Sequence, residues 1–286
     1  MKIALIQQHA VSDHEDNMER GIEAFKKAAA NGAGLIAFAE LGLTYFYPQK
    51  PAAEEDKKKA ETVPGPSTDV FSLLSREHGV VTVLNLFERC GDNTYDASPV
   101  IDADGTILGI TRMAHVMDGL GFYEKGYYAP GDNENFVYDT SAGRIGVAIC
   151  YDRHFPEYMR WLGIQGAQLV VVPQAGAVGE WPEGLFEAEL RVAAFQNGYF
   201  AVLVNRVGKE DHLHFAGESF VVDPEGCVLA QAPAEEDFIL YAEVDLEKTD
   251  GCTARRFFIP DRRPALYRRF FCSETPHVHP KEKARS

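Results

Sequence analysis

Short apolar runs alternate with amphipathic stretches along this chain of 286 residues. "KIALIQ" and "GLIAFAE" read as strands, and between them Asn17 to Ala30 places Met18, Ile22, Phe25 and Ala29 on one helical face. "DVFSLLSREHG" reads as a helix closed by Gly79. "VVTVLNLFE" predicts a further strand, and "ASPVIDADGTILGITRM" a pair of strands turning at Asp104-Gly105. In "GRIGVAICYDRHFPEYMRW" an apolar strand from Ile145 to Tyr151 runs out into Asp152, Arg153 and His154, and a helix opens at Pro156. After it come the strand "QLVVVP", a helix from about Pro182 to Asn197, and the strand "YFAVLVNRVG". The strands "ESFVVD", "CVLAQA" and "FILYAEVDL" complete the pattern. No Ser/Gly-rich linker and no short-period repeat divides it, so it predicts one α/β domain over residues 1–271, followed by a polar tail, 272–286. The expected architecture is mixed sheets with helices outside, and long connections that supply a site.

Composition narrows the function classes. A formal charge of −15 argues against a nucleic-acid partner, because phosphate binding needs a basic face. The start "MKIALIQQHA" is too short an apolar run for a signal peptide or membrane span, which points to a cytoplasmic protein without a membrane partner. Five cysteines, Cys90, Cys150, Cys227, Cys252 and Cys272, lie scattered without a CxxC pair, as free thiols in a reducing compartment do. "GLGFYEKG" lacks the last glycine of a dinucleotide fingerprint and the lysine of a P-loop, so no nucleotide cofactor is expected. "HLH" and "HVH" each place two imidazoles on one side of an extended chain, but without a third ligand nearby, so no metal is expected.

Candidate chemistry gathers at two strand ends. Cys150 stands where a strand gives way to charge and a helix start, a place where amide N–H groups and positive charge activate a thiol. Glu40 ends "LIAFAE" before an aromatic loop and is a candidate general base, or alternatively a cap. Open α/β sheets place sites at such carboxyl ends. A serine nucleophile is a poor alternative, since "GESFV" around Ser219 lacks the second glycine of a nucleophile elbow. Arg153 offers a guanidinium for a substrate carboxylate, or else a structural ion pair, and His154 follows it. Tyr45, in Tyr45-Phe46-Tyr47, is a candidate wall of the pocket.

The motifs "AELGLTYFYP", "VIDADGTILG", "YYAPGD", "GRIGVAICYDRHFPE", "QGAQLVVVPQA", "RVAAFQNGYFAVLVNRVG" and "FAGESFVVDPEG" resemble, in this order, those of the nitrilase or carbon–nitrogen hydrolase superfamily. Local stretches such as "CYDRHFPE" are most similar to β-ureidopropionases and other N-carbamoyl amino acid hydrolases. The resemblance implies a four-layer α-β-β-α sandwich, paired with a second copy through the helix after the nucleophile. It implies Cys150 as nucleophile, Glu40 as general base and Glu124, in "FYEKG", as a second glutamate positioning substrate or water.

One position departs from that resemblance. Where the family carries a lysine before a small residue and a histidine, this chain reads "ITRMAHVMD", which puts Met113 at the lysine position and keeps His115 as a substrate-side or loop-supporting group. A thioether offers no positive charge to an oxyanion. Losing one such donor costs about 2.7–4 kcal/mol in the barrier. Strand alternation turns the neighbouring Arg112 away, and Lys125 is a candidate replacement from its loop. The sequence therefore implies a hydrolase of a small amide or ureido compound, or alternatively a catalytically impaired, ligand-binding protein on the same fold.

Overall fold

The computed structural model describes residues 1–119, 121–132 and 136–271, the side chain of Phe271 excepted. The proposed tail, with Cys272, lies outside them. The chain runs β1 (Lys2–Gln7), α1 (His14–Ala30), β2 (Leu35–Phe38), α2 (Pro66–His78), β3 (Val81–Val83), β4 (Leu86–Cys90), β5 (Asn93–Ile101) and β6 (Ile107–Arg112). It continues with β7 (Val137–Thr140), β8 (Gly143–Val147), α3 (Pro156–Ile164), β9 (Leu169–Gln174), α4 (Leu185–Asn197) and β10 (Phe200–Asn205). The last elements are β11 (Val207–Lys209), β12 (His214–Ala216), β13 (Phe220–Val222), β14 (Val228–Gln231), β15 (Phe238–Glu243) and α5 (Pro264–Phe271).

Two mixed sheets form, one ordered β15-β1-β2-β3-β5-β4 with β6 on β5, the other β14-β13-β10-β9-β8-β7. Alternation along each strand decides which layer a side chain joins. Ile3 and Leu5 of β1, with Leu35 and Ala37 of β2, face Val147, Val171, Val202 and Val204 of the second sheet in one buried core. The intervening Ala4, Ile6, Ile36 and Phe38 point outward onto Phe25 of α1 and Phe71 and Leu74 of α2. Val170, Val172, Ala201 and Leu203 do the same on the other side, against Tyr158, Met159 and Leu162 of α3 and Leu190 and Ala194 of α4. The result is the expected α-β-β-α sandwich. Helix α1 starts where the Asp13 side chain accepts from the amides of Glu15 and Asp16, three residues before the predicted limit.

Three predicted strands are shorter than read, and each break supports the site. "VVTVLNLFE" splits at Asn85, whose side chain accepts from Leu41 N (2.7 Å) and donates to Asp96 Oδ1 (2.5 Å) and Ser98 Oγ (3.1 Å). "YFAVLVNRVG" splits at Arg206, whose buried guanidinium donates to the carbonyls of Glu40, Leu41 and Thr44 and pairs with Glu210. The strand expected through Tyr151 ends at Val147, and a single 3₁₀ turn spans Cys150–His154. Polar side chains that turn inward to hold loop backbone interrupt the ladder, and an apolar pattern does not reveal them.

Arg206 and Glu210 each have a side chain only 1% exposed. Removing one partner leaves the other charge buried. Arg206→Met is expected to lower the unfolding free energy by about 3–5 kcal/mol in denaturant titrations. Adding Glu210→Gln should recover part of that loss, and an unchanged midpoint in the single variant would contradict the pairing.

Candidate active site

Two turns at the ends of strands β2 and β8 carry the candidate groups, one from each sheet. Both hold a non-glycine residue in the left-handed region: Leu41 at φ 45° and Cys150 at φ 42°. Such backbone costs on the order of 1–3 kcal/mol and persists only where its surroundings hold it. Asn85 and Arg206 hold the Glu40-Leu41 turn from the two sides. The Cys150 turn is held by Arg153, which donates to the Cys150 carbonyl (3.0 Å), and by Asp152.

Asp152 is fully buried and accepts from four N–H groups: Ile149 N (3.3 Å), Ala114 N (3.3 Å), His115 N (2.9 Å) and His115 Nδ1 (2.7 Å). It thereby fastens the stretch after β6 to the turn that carries the thiol. His115 stacks flat on Phe155, with ring centroids 3.6 Å apart. Met113 is anchored through its backbone, donating to Asp96 O (2.9 Å) and accepting from Gly131 N (2.7 Å). Its side chain is buried in the same apolar cluster as Cys150.

Around the thiol the charges are mostly negative. Glu40 is fully buried and faces the Cys150 thiol and Asp96, yet neither of its carboxylate oxygens completes a hydrogen bond. Glu124, on a one-turn 3₁₀ helix, is buried as well and accepts from Met117 N (3.1 Å). Asp96 has one oxygen on Asn85 and its Oδ2 unpartnered. The Tyr128 hydroxyl lies buried and unpartnered within the field of Asp96, Glu40 and Glu124. Among the described residues, no ion pair involves Glu40, Asp96 or Glu124; the nearby arginines and histidines are engaged elsewhere.

Ionisation follows from this arrangement. Burial, then the neighbouring Asp96 and Glu124, push the Glu40 carboxyl well above the usual range. Burial raises Asp96 to about 7, while the hydrogen bond from Asn85 and the neighbouring Glu40 carboxyl oppose the shift. Glu124 is pushed up by burial and Asp96. The thiol of Cys150 is also raised, by burial and then by Glu40 and Glu124, with Arg153 pulling the other way. This reverses the expectation of an activated, low-pKa thiol. The turn supplies backbone strain and a nearby guanidinium, but dehydration among acids outweighs them.

The remaining candidates divide. Arg153 is buried with Nη1 on Gln174 Oε1 (2.6 Å) and the Cys150 carbonyl, Nε 3.3 Å from Glu189, and its plane over Phe186. It is bound up as a structural ion pair, with Glu189 as the acid. His154 Nδ1 is 2.7 Å from the same carboxylate. Tyr45 accepts a hydrogen bond from Asp211 N (2.7 Å), and it is Phe46 that joins Leu41, Phe122, Tyr127 and Tyr128 in the aromatic wall. Arg112 turns outward to Glu88 in a two-point ion pair (2.6 and 2.7 Å), as alternation predicts. Lys125 is exposed. Asp96, Tyr128 and Glu180, which contributes negative potential at both Cys150 and Glu124, were not singled out in the sequence. Only the polar residue Asp96 inside an otherwise apolar strand run, "DASPVI", signalled anything.

A raised thiol pKa has a direct consequence for alkylation, since the thiolate is the nucleophile. In the free protein, iodoacetamide is expected to modify exposed Cys90 and Cys227 before Cys150 at neutral pH. Cys150 labelling should climb only as pH rises past the ordinary thiol range. Mass-mapped labelling with Cys150 first at pH 7 would contradict the charge reading.

Comparison with known proteins places the chain in a family and a fold. A carbon-nitrogen hydrolase family model matches residues 2–253. The chain is 34% identical over 280 residues to an N-carbamoylputrescine amidase of Solanum lycopersicum, covering 93% of each. It is 31% identical over 280 residues to a citrullinase of Francisella tularensis, covering 93% of this chain and 96% of that one. A crystal structure of a carbon-nitrogen hydrolase from Helicobacter pylori superposes with a TM-score of 0.87 at 29% identity, over 95% of this chain and 98% of that one. The chain belongs to the carbon–nitrogen hydrolase family.

Proposed function

We propose that the protein hydrolyses a non-peptide C–N bond of a small amide or ureido compound through a thioester or thiocarbamate at Cys150. The observation that carries this reading is the meeting of Cys150, on its strained turn, with the buried Glu40 and Glu124. Glu40 takes the thiol proton, sulfur attacks the carbonyl carbon, and the same proton leaves with ammonia or the amine. Water then enters, gives a proton to Glu40, and releases the acid. Burial among acids raises both the Glu40 carboxyl and the Cys150 thiol, so each holds its proton more tightly than it would in water. Glu124, held by Met117 N, orients substrate or water. Relatives named as N-carbamoylputrescine amidase and citrullinase support a ureido group as the scissile unit.

Assembly and location complete the proposal. Trp161 on α3 is 45% exposed, and Val192 on α4, 52% exposed, lines a groove of about 290 Å³ with Pro156, Met159 and Leu185. Apolar surface of this kind suits a two-fold pairing of two copies. Four free cysteines among the described residues suit a reducing cytoplasm. Among the described residues, no helix is long and apolar enough to cross a membrane.

Cys150→Ala should abolish turnover of every substrate, and Glu40→Gln should lower kcat by about 10²–10⁴ with folding intact. Activity surviving in Cys150→Ala would overturn the covalent mechanism. Wild type inert against amides and ureido compounds alike, with Cys150 never acylated, would favour a binding protein instead. Trp161→Glu should convert a dimer to monomer in light scattering, and a monomeric wild type at micromolar concentration would remove the pairing.

A further inference from the structure

A hydrolase working on a neutral amide creates an oxyanion, and oxyanions are stabilised by donors and positive charge. Here, Arg153 apart, the charged groups that act on the thiol are of the wrong sign. Glu40, Glu124 and Glu180 all add negative potential at Cys150, and Asp96 adds it at Glu40 and Glu124. The cations are largely turned aside: Arg112 pairs with Glu88, Arg153 lies against Glu189 and the Cys150 carbonyl with only its Nη2 unpartnered, and Lys125 is exposed. Met113, buried in the same apolar cluster as Cys150, contributes no charge.

The same site has acceptors to spare. Both oxygens of Glu40 and Oδ2 of Asp96 are buried without a hydrogen-bond partner. Buried carboxylate oxygens are rarely left so, and each calls for a donor. Among the described residues, no three His, Cys, Asp or Glu side chains converge in a metal-binding arrangement, so the acceptors do not form a cation cage of their own. They would suit a planar ligand that carries several N–H groups and a positive charge together.

We propose that the reacting group of the substrate is itself cationic, an amidinium or guanidinium carbon, so that the substrate brings into the site the charge that Met113 does not provide. The inference rests on the hydrolase reading above and names the class of substrate for that site. Attack on a neutral amide would add an oxyanion among carboxylates. Attack on an amidinium carbon adds none: the thiol proton passes to Glu40, the S–C bond forms, and the tetrahedral adduct is neutral. The C–N bond then breaks as Glu40 returns its proton to the departing ammonia, leaving a cationic S-amidino or thioimidate form of Cys150. Water attacks that carbon, the C–S bond breaks, the thiol is restored, and the released proton makes the ammonia ammonium. In sum, a guanidinium and water give a urea and ammonium, or an amidinium and water give an amide and ammonium. The approaching cation also stabilises Glu40 as a carboxylate, which the empty site disfavours.

Two alkylating probes of the same shape separate the alternatives: 2-chloroacetamidine, which is cationic, and 2-chloroacetamide, which is neutral. Their rates at Cys150 in the full chain, each divided by the rate with glutathione, are followed by intact mass and peptide mapping. The amidine is expected to be favoured by about 100-fold, the size of the effect of one charge-stabilising donor. Asp96→Asn should shrink that preference, and Met113→Lys should reverse it. Equal rates, or a faster amide, would overturn the inference whatever the variants do. Turnover assays on matched guanidino and ureido compounds keep the two readings apart. Hydrolysis of the ureido member alone leaves the hydrolase standing and removes the cationic substrate, and loss of that activity in Tyr128→Phe would identify the orphan hydroxyl as the oxyanion donor. Neither probe reaching Cys150, with neither compound hydrolysed, removes both.

Discussion

The carboxylate of Asp152 is the interaction on which the site depends. It is buried between the two sheets' ends and accepts from the Cys150 turn at Ile149 N and from the stretch after β6 at Ala114 and His115. Those hydrogen bonds are charge-assisted, which makes them stronger than neutral ones. Burial pushes this carboxyl upward and the His115 bonds oppose the shift. The consequence is geometric. With Asp152 in place, the chain turns after Ile149, Cys150 adopts its positive φ, and the stretch that follows Met113 is fastened to the thiol's turn. The Glu40 turn is built on the same plan from the other sheet, with Asn85 and Arg206 as its clamps.

Charge then decides what such a scaffold does. Four carboxyl groups, Glu40, Asp96, Glu124 and Glu180, act on a small dehydrated volume around one thiol, and burial is the largest cause of the upward shift in each of them. With a lysine at position 113, the cluster would resemble a neutralised network. With methionine there, the free site relieves its repulsion by holding protons. A site whose proposed base and nucleophile both hold protons more tightly than usual responds to the charge of a ligand, and this links the fold's geometry to substrate choice. The sandwich core, packed through three layers of alternating side chains, supplies the rigidity that keeps such unfavourable groups together.

Much of this was legible in the residues. Alternating apolar runs specified the layers, because a period of two has only one way to satisfy both faces of a sheet. Cys150 and Glu40 stood out through their place at strand ends and Glu124 through family resemblance, and the structure brings all three together. What escaped the sequence depends on long-range partners. Nothing local in "VLNLF" says that Asn85 turns inward to hold Leu41 and Asp96, 44 and 11 residues away. Nothing in "YDRH" distinguishes an arginine that waits for substrate from one bound to Glu189, 36 residues further on in the chain's numbering (189 − 153 = 36). The direction of the Cys150 shift escaped for the same reason: it is set by how many acids converge from separate elements, and strand-end position does not count them.

The central claim is that Glu40 and Asp96 lack a cation and so keep their protons to a higher pH than ordinary carboxyl groups do. Infrared difference spectroscopy reads that proton directly, through the carbonyl stretch of a protonated carboxyl group. The account predicts such a band in the free wild-type protein at pH 7, weakened in Glu40→Gln and displaced when a positive charge is installed by Met113→Lys. Carboxylate bands alone at pH 7, with no protonated carboxyl to remove, would contradict it.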